Sequence, residues 1–114
     1  MSTPEIRRKD HMYLLLREGK IKQFNENKAL GEAIELAGTD LRGLDLRGLD
    51  AEGIDFSNCY FRQADLRGID FSTCKMNGAS INGAKISGCL FPPEFSPAEL
   101  ELSLLHGTRL REGC

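Results

Sequence analysis

Residues 39–73 read TDLRG, LDLRG, LDAEG, IDFSN, CYFRQ, ADLRG, IDFST, and the fold is decided by how this stretch is divided. The five-residue frame extends back to IELAG at 34–38. It runs forward through CKMNG, ASING, AKISG and CLFPP to residue 93, giving twelve pentads in unbroken phase. The third position holds Leu36, Leu41, Leu46, Ala51, Phe56, Phe61, Leu66, Phe71, Met76, Ile81, Ile86 and Phe91, all apolar. The first position holds Ile34, Thr39, Leu44, Leu49, Ile54, Cys59, Ala64, Ile69, Cys74, Ala79, Ala84 and Cys89, with Thr39 as the exception. Asp fills the second position at residues 40, 45, 50, 55, 65 and 70, and Gly recurs at the fifth.

Neither ordinary secondary-structure period accounts for this. A helix needs apolar sites three and four apart, and a strand needs strict alternation. Here apolar, polar, apolar is followed by two non-apolar positions. Two inward side chains flank one outward residue, as on a very short strand. The last two positions turn the chain, with glycine where a positive φ is required. Each pentad is then one side of a coil, and a fixed period of this kind sets the architecture before any local propensity does.

ADLRG at 64–68 matches the pattern A-(D/N)-L-x-x, TDLRG and LDLRG match it with a changed first residue, and IDFST with Phe also in place of Leu. On these residues the run 34–93 resembles the pentapeptide repeat family. The resemblance implies an all-β repeat core, a right-handed quadrilateral β-helix with four pentads per coil and about three coils. Three rungs at the usual strand spacing stand about 15 Å tall. Residues twenty apart then stack, giving the columns Leu36–Phe56–Met76, Leu41–Phe61–Ile81, Leu46–Leu66–Ile86 and Ala51–Phe71–Phe91.

The flanks are not repeats. Residues 1–33 are expected to form an N-terminal helical cap. Thr3-Pro4-Glu5 opens it, Met12–Leu16 is apolar enough to be buried on two sides, and Gly19 stops it. A second helix is expected from about Lys20 to Leu30, with Ile21 and Phe24 inward and Gly31 closing it. Residues 94–114 are expected to form a C-terminal helical cap and tail. There Ser96-Pro97-Ala98-Glu99 has capping-box spacing, Leu100, Leu102, Leu104 and Leu105 supply the apolar side, and Gly107 ends the helix. Pro92-Pro93 ends the last rung, since proline cannot donate to a further strand. Stacked coils expose a core cross-section at each end, so both flanks read as lids on one folded domain. Leu90, at a second position, suggests that the last rungs are covered.

The chain has 114 residues and a net charge of −2, which gives no electrostatic reason to approach nucleic acid or an anionic membrane. Its longest apolar run is five residues, far short of a membrane span, and no signal-peptide core opens it. His11 and His106 lie in the flanks among polar residues. Cys59, Cys74 and Cys89, fifteen apart, fall inside the coil on three different faces. They read as small core residues, because paired metal-ligand spacings are absent. Cys114 reads as an exposed thiol at the end of the chain. Reduced core thiols fit a cytoplasmic location. No nucleophile elbow, phosphate loop or dinucleotide fingerprint occurs, and outward carboxylates lack the apolar pocket that acid–base catalysis needs.

The expectation is therefore a non-enzyme without cofactor, metal or small-molecule substrate, acting as a protein–protein interaction or scaffold module. An unidentified protein partner, or a homodimer through an end cap, is the expected contact. Asp45, Arg47, Asp65 and Arg67 form a candidate docking surface of striped charge, set against a plainer reading as surface ion pairs. The resemblance also implies an alternative, since some members of that family mimic DNA, bind type II topoisomerases such as gyrase and confer quinolone resistance. Three coils make a short rod for that. Eight acids (Glu35, Asp40, Asp45, Asp50, Glu52, Asp55, Asp65, Asp70) against six bases (Arg42, Arg47, Arg62, Arg67, Lys75, Lys85) imitate a duplex poorly. An ice-binding face would need threonine columns, and only Thr39 and Thr73 lie in the repeats.

Overall fold

The corner between pentads is the unit from which the molecule is built. The third-position carbonyl accepts the N–H of the next first position, as in Thr39 to Leu36 at 3.1 Å and Ala64 to Phe61 at 2.9 Å. The residue between them at the fifth position has positive φ in ten pentads, which is the geometry of a type II turn. Eight of those ten are glycine. Asn58 (φ 61°) and Gln63 (φ 60°) adopt the same conformation with a side chain.

The computed structural model describes residues 4–113, with side chains from His11 onward. Thr3 and Cys114, singled out above, lie outside the residues it describes. Successive coils meet in parallel β-bridges between second-position residues twenty apart: Asp40–Tyr60–Ser80, Asp45–Asp65–Lys85, Asp55–Lys75 and Asp70–Leu90. The third-position N–H donates to the second-position carbonyl one coil on (Leu41 to Tyr60, 2.9 Å). The second-position N–H donates to the first-position carbonyl one coil back (Tyr60 to Thr39, 3.1 Å). Each side thus contributes one bridged residue, and no multi-residue strand forms among the described residues. The stack is β-helix-like with twenty residues per coil. Below, side one comprises pentads 34–38, 54–58 and 74–78; sides two, three and four follow in chain order.

Inside, ten third-position residues from Leu36 to Ile81 are buried, whereas Ile86 and Phe91 at the last rungs are only half-buried. Phe56, Phe61 and Phe71 of the second coil meet edge to face, with centroids 5.4 to 5.9 Å apart. Phe91 stacks beneath Phe71 at 5.8 Å, as expected of residues twenty apart. Such ring pairs add stabilisation beyond the area they bury.

Among the described residues three helices pack at the ends: α1 (Pro4–Arg17), α2 (Ile21–Ala29) and α3 (Pro97–His106). Of the described side chains of α1 the buried ones are Met12, Leu15 and Leu16, one face at helical spacing. Leu14 is half exposed, so this helix is not buried on two sides as Met12–Leu16 suggested. Phe24 anchors α2, and Ile21 is half-buried. On α3, Leu100 and Leu104 pack inward beside fully buried Ser103, whereas Leu102 and Leu105 point to solvent. The apolar side read from the four leucines is therefore split between two faces. Ser96 caps α3 by accepting the Glu99 N–H at 3.1 Å. The Glu99 carboxylate does not complete a capping box. It is buried and takes the N–H, Nε and Nη2 of Arg111, at 3.0, 3.2 and 3.4 Å.

The caps supply polar atoms where a further coil would have done so. At the N-terminal end Tyr13 Oη donates to the Asp40 carbonyl (2.8 Å). Asn25 takes the Asp50 N–H and donates to the Gly48 carbonyl, both at 2.9 Å. At the C-terminal end Leu110 adds to side two as a partial rung, accepting from Gly78 and donating to Ala79 at 2.8 Å. Ser103 Oγ accepts the Ile81 N–H, and the Leu104 carbonyl accepts that of Gly83.

Candidate functional site

Aspartate at the second position follows from the corner. Its carboxylate reaches the N–H two residues on, the one backbone donor the ladder leaves over, in the manner of an Asx turn. The pairs are Asp40–Arg42 (3.1 Å), Asp45–Arg47 (3.2 Å), Asp50–Glu52 (3.2 Å), Asp55–Ser57 (2.9 Å), Asp65–Arg67 (3.3 Å) and Asp70–Ser72 (2.8 Å). Where the fourth residue is Arg, its guanidinium folds back onto the same carboxylate in a bidentate pair at 2.7 to 2.9 Å, at residues 40, 45 and 65. The Arg42 hydrogen bonds hold Asp40 down to about 2, and those of Arg67 do the same for Asp65. Asp45, Asp55 and Asp70 are lowered as well, first by the side-chain hydrogen bond to the residue two on.

Asp45, Arg47, Asp65 and Arg67 lie together on side three. Arg47 also reaches across the coils to Asp65 at 3.4 Å, and the Asp65 side chain is only 15 % exposed. Opposite charges are thus matched within this surface.

The first-position cysteines do not form a reactive cluster. Each thiol donates to a third-position carbonyl one level up: Cys59 to Leu36 (2.9 Å), Cys74 to Ala51 (3.0 Å) and Cys89 to Leu66 (2.8 Å). Burial raises all three thiol pKa values, Cys74 to about 11, so the nucleophilic thiolate is disfavoured. Thr39, the polar exception in the first position, is satisfied by the Leu36 carbonyl at 2.6 Å. His11 contacts Glu32 Oε1 at 2.8 Å across the N-terminal cap, and His106 sits in the last turn of α3. Among the described residues no group of three His, Cys, Asp or Glu is placed to hold a metal ion. No described helix is long and apolar enough to cross a membrane.

The C-terminal end is different in character. Among the described residues nothing pairs with the free backbone edge on sides three and four of the last coil. The N–H groups of Ile86, Gly88 and Phe91 and the carbonyls of Ala84 and Cys89 have no protein partner there. Leu90 (59 % exposed), Leu102 (41 %) and Leu105 (60 %) lie at this end of the molecule. Leu102 and Leu105, with Ala98, Glu101 and His106, line a shallow groove of about 280 Å³. Leu90, read above as covered, is exposed in the single chain. Sequence reasoning did not find Phe95 and Leu110, which are buried in the C-terminal cap, nor Arg109, which lies over the Tyr60 ring and bonds its hydroxyl at 2.6 Å. Those residues fall outside the repeat, and no periodic signal marks them.

Comparison with known proteins gives one family. The family described as Pentapeptide repeats matches residues 54–91 in eight copies, a third of the chain. No curated protein and no solved structure matches significantly.

Proposed function

The chain belongs to the pentapeptide repeat proteins, and on that premise we propose that it is a non-catalytic protein-interaction module that pairs with a second copy through the C-terminal end of its stack. The observation carrying this reading is the unfinished last coil. A row of unpaired backbone donors and acceptors borders exposed Leu90, and exposed Leu102 and Leu105 sit at the same end. An open edge of this kind is a template for pairing, and natural proteins cover it. The edge from Ala84 to Phe91 carries both free donors and free acceptors, so a two-fold axis can set it against its own copy. The stack itself is read as a right-handed quadrilateral β-helix of three coils. The twenty-residue register supports the four-sided coil, and the family resemblance supplies the handedness.

Molecular mass in solution tests the pairing. The expected result is twice 12.7 kDa for the native chain and a folded monomer for Leu102→Glu/Leu105→Glu. A native chain that is monomeric at micromolar concentration overturns it. Topoisomerase binding by DNA mimicry has less support. Asp40, Asp45 and Asp65 each carry a bidentate arginine, so the outward carboxylates do not add up to a duplex-like field. Gyrase supercoiling is expected to be unchanged by the protein.

A further inference from the structure

Side four between the first and second coils lacks its ladder. By the register of sides two and three, Asp70 N–H should reach the Leu49 carbonyl and Ala51 N–H the Asp70 carbonyl. At the corner leading into side four, Gly48 N–H should reach the Arg67 carbonyl. None of these bonds forms, and none of these groups has another protein partner. Side one of this junction, where Leu36 and Asp55 make no ladder bond, is unbridged too. No bridge joins Asp50 to Asp70, although Asp70 bridges normally to Leu90 below. A solvent-open cleft of about 520 Å³ occupies the place, lined by residues 48–52 of the first coil and 68–70 and Thr73 of the second.

Two local causes converge on it. Below the cleft, Thr73 stands at a fifth position without the positive φ that ten other pentads share. Gly53 N–H therefore bonds Thr73 Oγ (3.0 Å) in place of the next carbonyl, and only this bond and the Cys74 thiol at Ala51 stitch the corner. Above it, α2 grips the first coil: Asn25 holds Gly48 and Asp50, and Lys28 Nζ lies 3.3 Å from Asp50. Asp45 and Asp65 bridge with Arg47 and Arg67 to offset their charge. Asp50 and Asp70 are followed instead by Glu52 and Ser72, so two rungs of like charge meet there without a local arginine.

We infer that this side is a sprung seam, and that the N-terminal cap with the first coil forms a unit that opens from the other two coils by hinging about the closed ladder of side two. Local opening of this kind is drawn from regions with few internal hydrogen bonds. The seam couples α2 to the stack, because the residues that hold the first coil's edge are on that helix.

Residue-resolved amide exchange on the full chain tests this. In the native protein Ala51 and Asp70 are expected to exchange at least tenfold faster than Leu46 and Asp65, their counterparts on side three, and Gly48 at least tenfold faster than Gly43, its counterpart on side two. Leu41, Gly43 and Leu46, which bond the first coil to the second, are expected to exchange faster than Phe56, Phe61, Leu66 and Phe71, which bond the second to the third. Thr73→Gly permits the regular turn. It is expected to slow Ala51, Asp70 and the Leu41–Leu46 group about tenfold while leaving Leu66 and Phe71 unchanged. Equal protection of Ala51 and Leu46 in the native chain overturns the seam. An unchanged profile in Thr73→Gly overturns its cause. Dimerisation at the far end does not enter either comparison.

Discussion

The junction between the first and second coils and the junction between the second and third are written in the same five-residue frame, yet only the lower one is laddered along side four. There Phe71 donates to the Leu90 carbonyl at 2.7 Å and, at the corner leading into that side, Gly68 donates to the Ser87 carbonyl at 2.9 Å. One level up, the equivalent groups of Gly48 and Ala51 bond nothing in the protein. The lower junction also holds the rings, Phe71 over Phe91 with Phe56 and Phe61 alongside, where the first coil offers Leu36, Leu41, Leu46 and Ala51. The period fixes which residues face each other across a junction. At side four, closure follows the fifth-position residue and what grips the edge beyond it.

If the aromatic junction is the stable half, damage there should be felt most. Phe71→Asp places a charge among three rings and is expected to abolish cooperative folding, read by circular dichroism on heating. Phe71→Ala should still fold but lose about 3–5 kcal/mol. Ala51→Gly, in the same column at the open junction, should lose only about 0.5–1 kcal/mol, the usual cost of glycine in a regular element. A Phe71→Ala chain that melts no lower than Ala51→Gly would mean that the rings do not anchor the stack.

The corners of side two offer a sharper comparison at smaller cost. Gly43 and Gln63 hold the same conformation one coil apart, at φ 70° and 60°. A Cβ on Gly43 meets nothing within 4 Å, so Gly43→Ala reports backbone strain alone, about 1–2 kcal/mol of destabilisation. Gln63→Gly should have the opposite sign and a smaller size, since relief of strain is offset by the freedom glycine has when unfolded. Destabilisation by both changes would mean that the Gln63 side chain contributes more than its backbone costs.

The coil register, the inward residues and the helical flanks were legible because burial on one side of a coil imposes a period on the letters. The opened side was not. IDFST looks like its neighbours, and only the φ of Thr73, which ten other fifth positions do not share, separates it from them. Nor did the letters show what aspartate does in the second position. Stacked in columns it reads as surface charge, whereas its carboxylate spends itself on the N–H two residues on. In the C-terminal cap, Glu99 was read as half of a capping box, but the partner that claims it, Arg111, is twelve residues away and carries no local signature.

The smallest expected effect concerns the charge that crosses the weaker junction. Arg47 pairs with Asp45 in its own coil and Asp65 in the next, which makes side three the polar counterpart to the open side four. Asp65 is held at about 2 when folded, chiefly by Arg67 and also by Arg47, against about 3.9 when unfolded. A depressed folded value stabilises fully above the unfolded pKa, and that stabilisation drains away as pH falls from about 4 towards 2. Asp40 behaves in the same way through Arg42. The melting temperature should therefore fall over that window, and Asp65→Asn should fall less steeply than the native chain while melting slightly lower at pH 7. Because the arginines that pair with Asp65 are half exposed, the difference should shrink in high salt. A native chain and an Asp65→Asn chain with superimposable acid profiles would show that the cross-coil pair adds nothing, leaving the first junction held by its backbone ladder and its leucines.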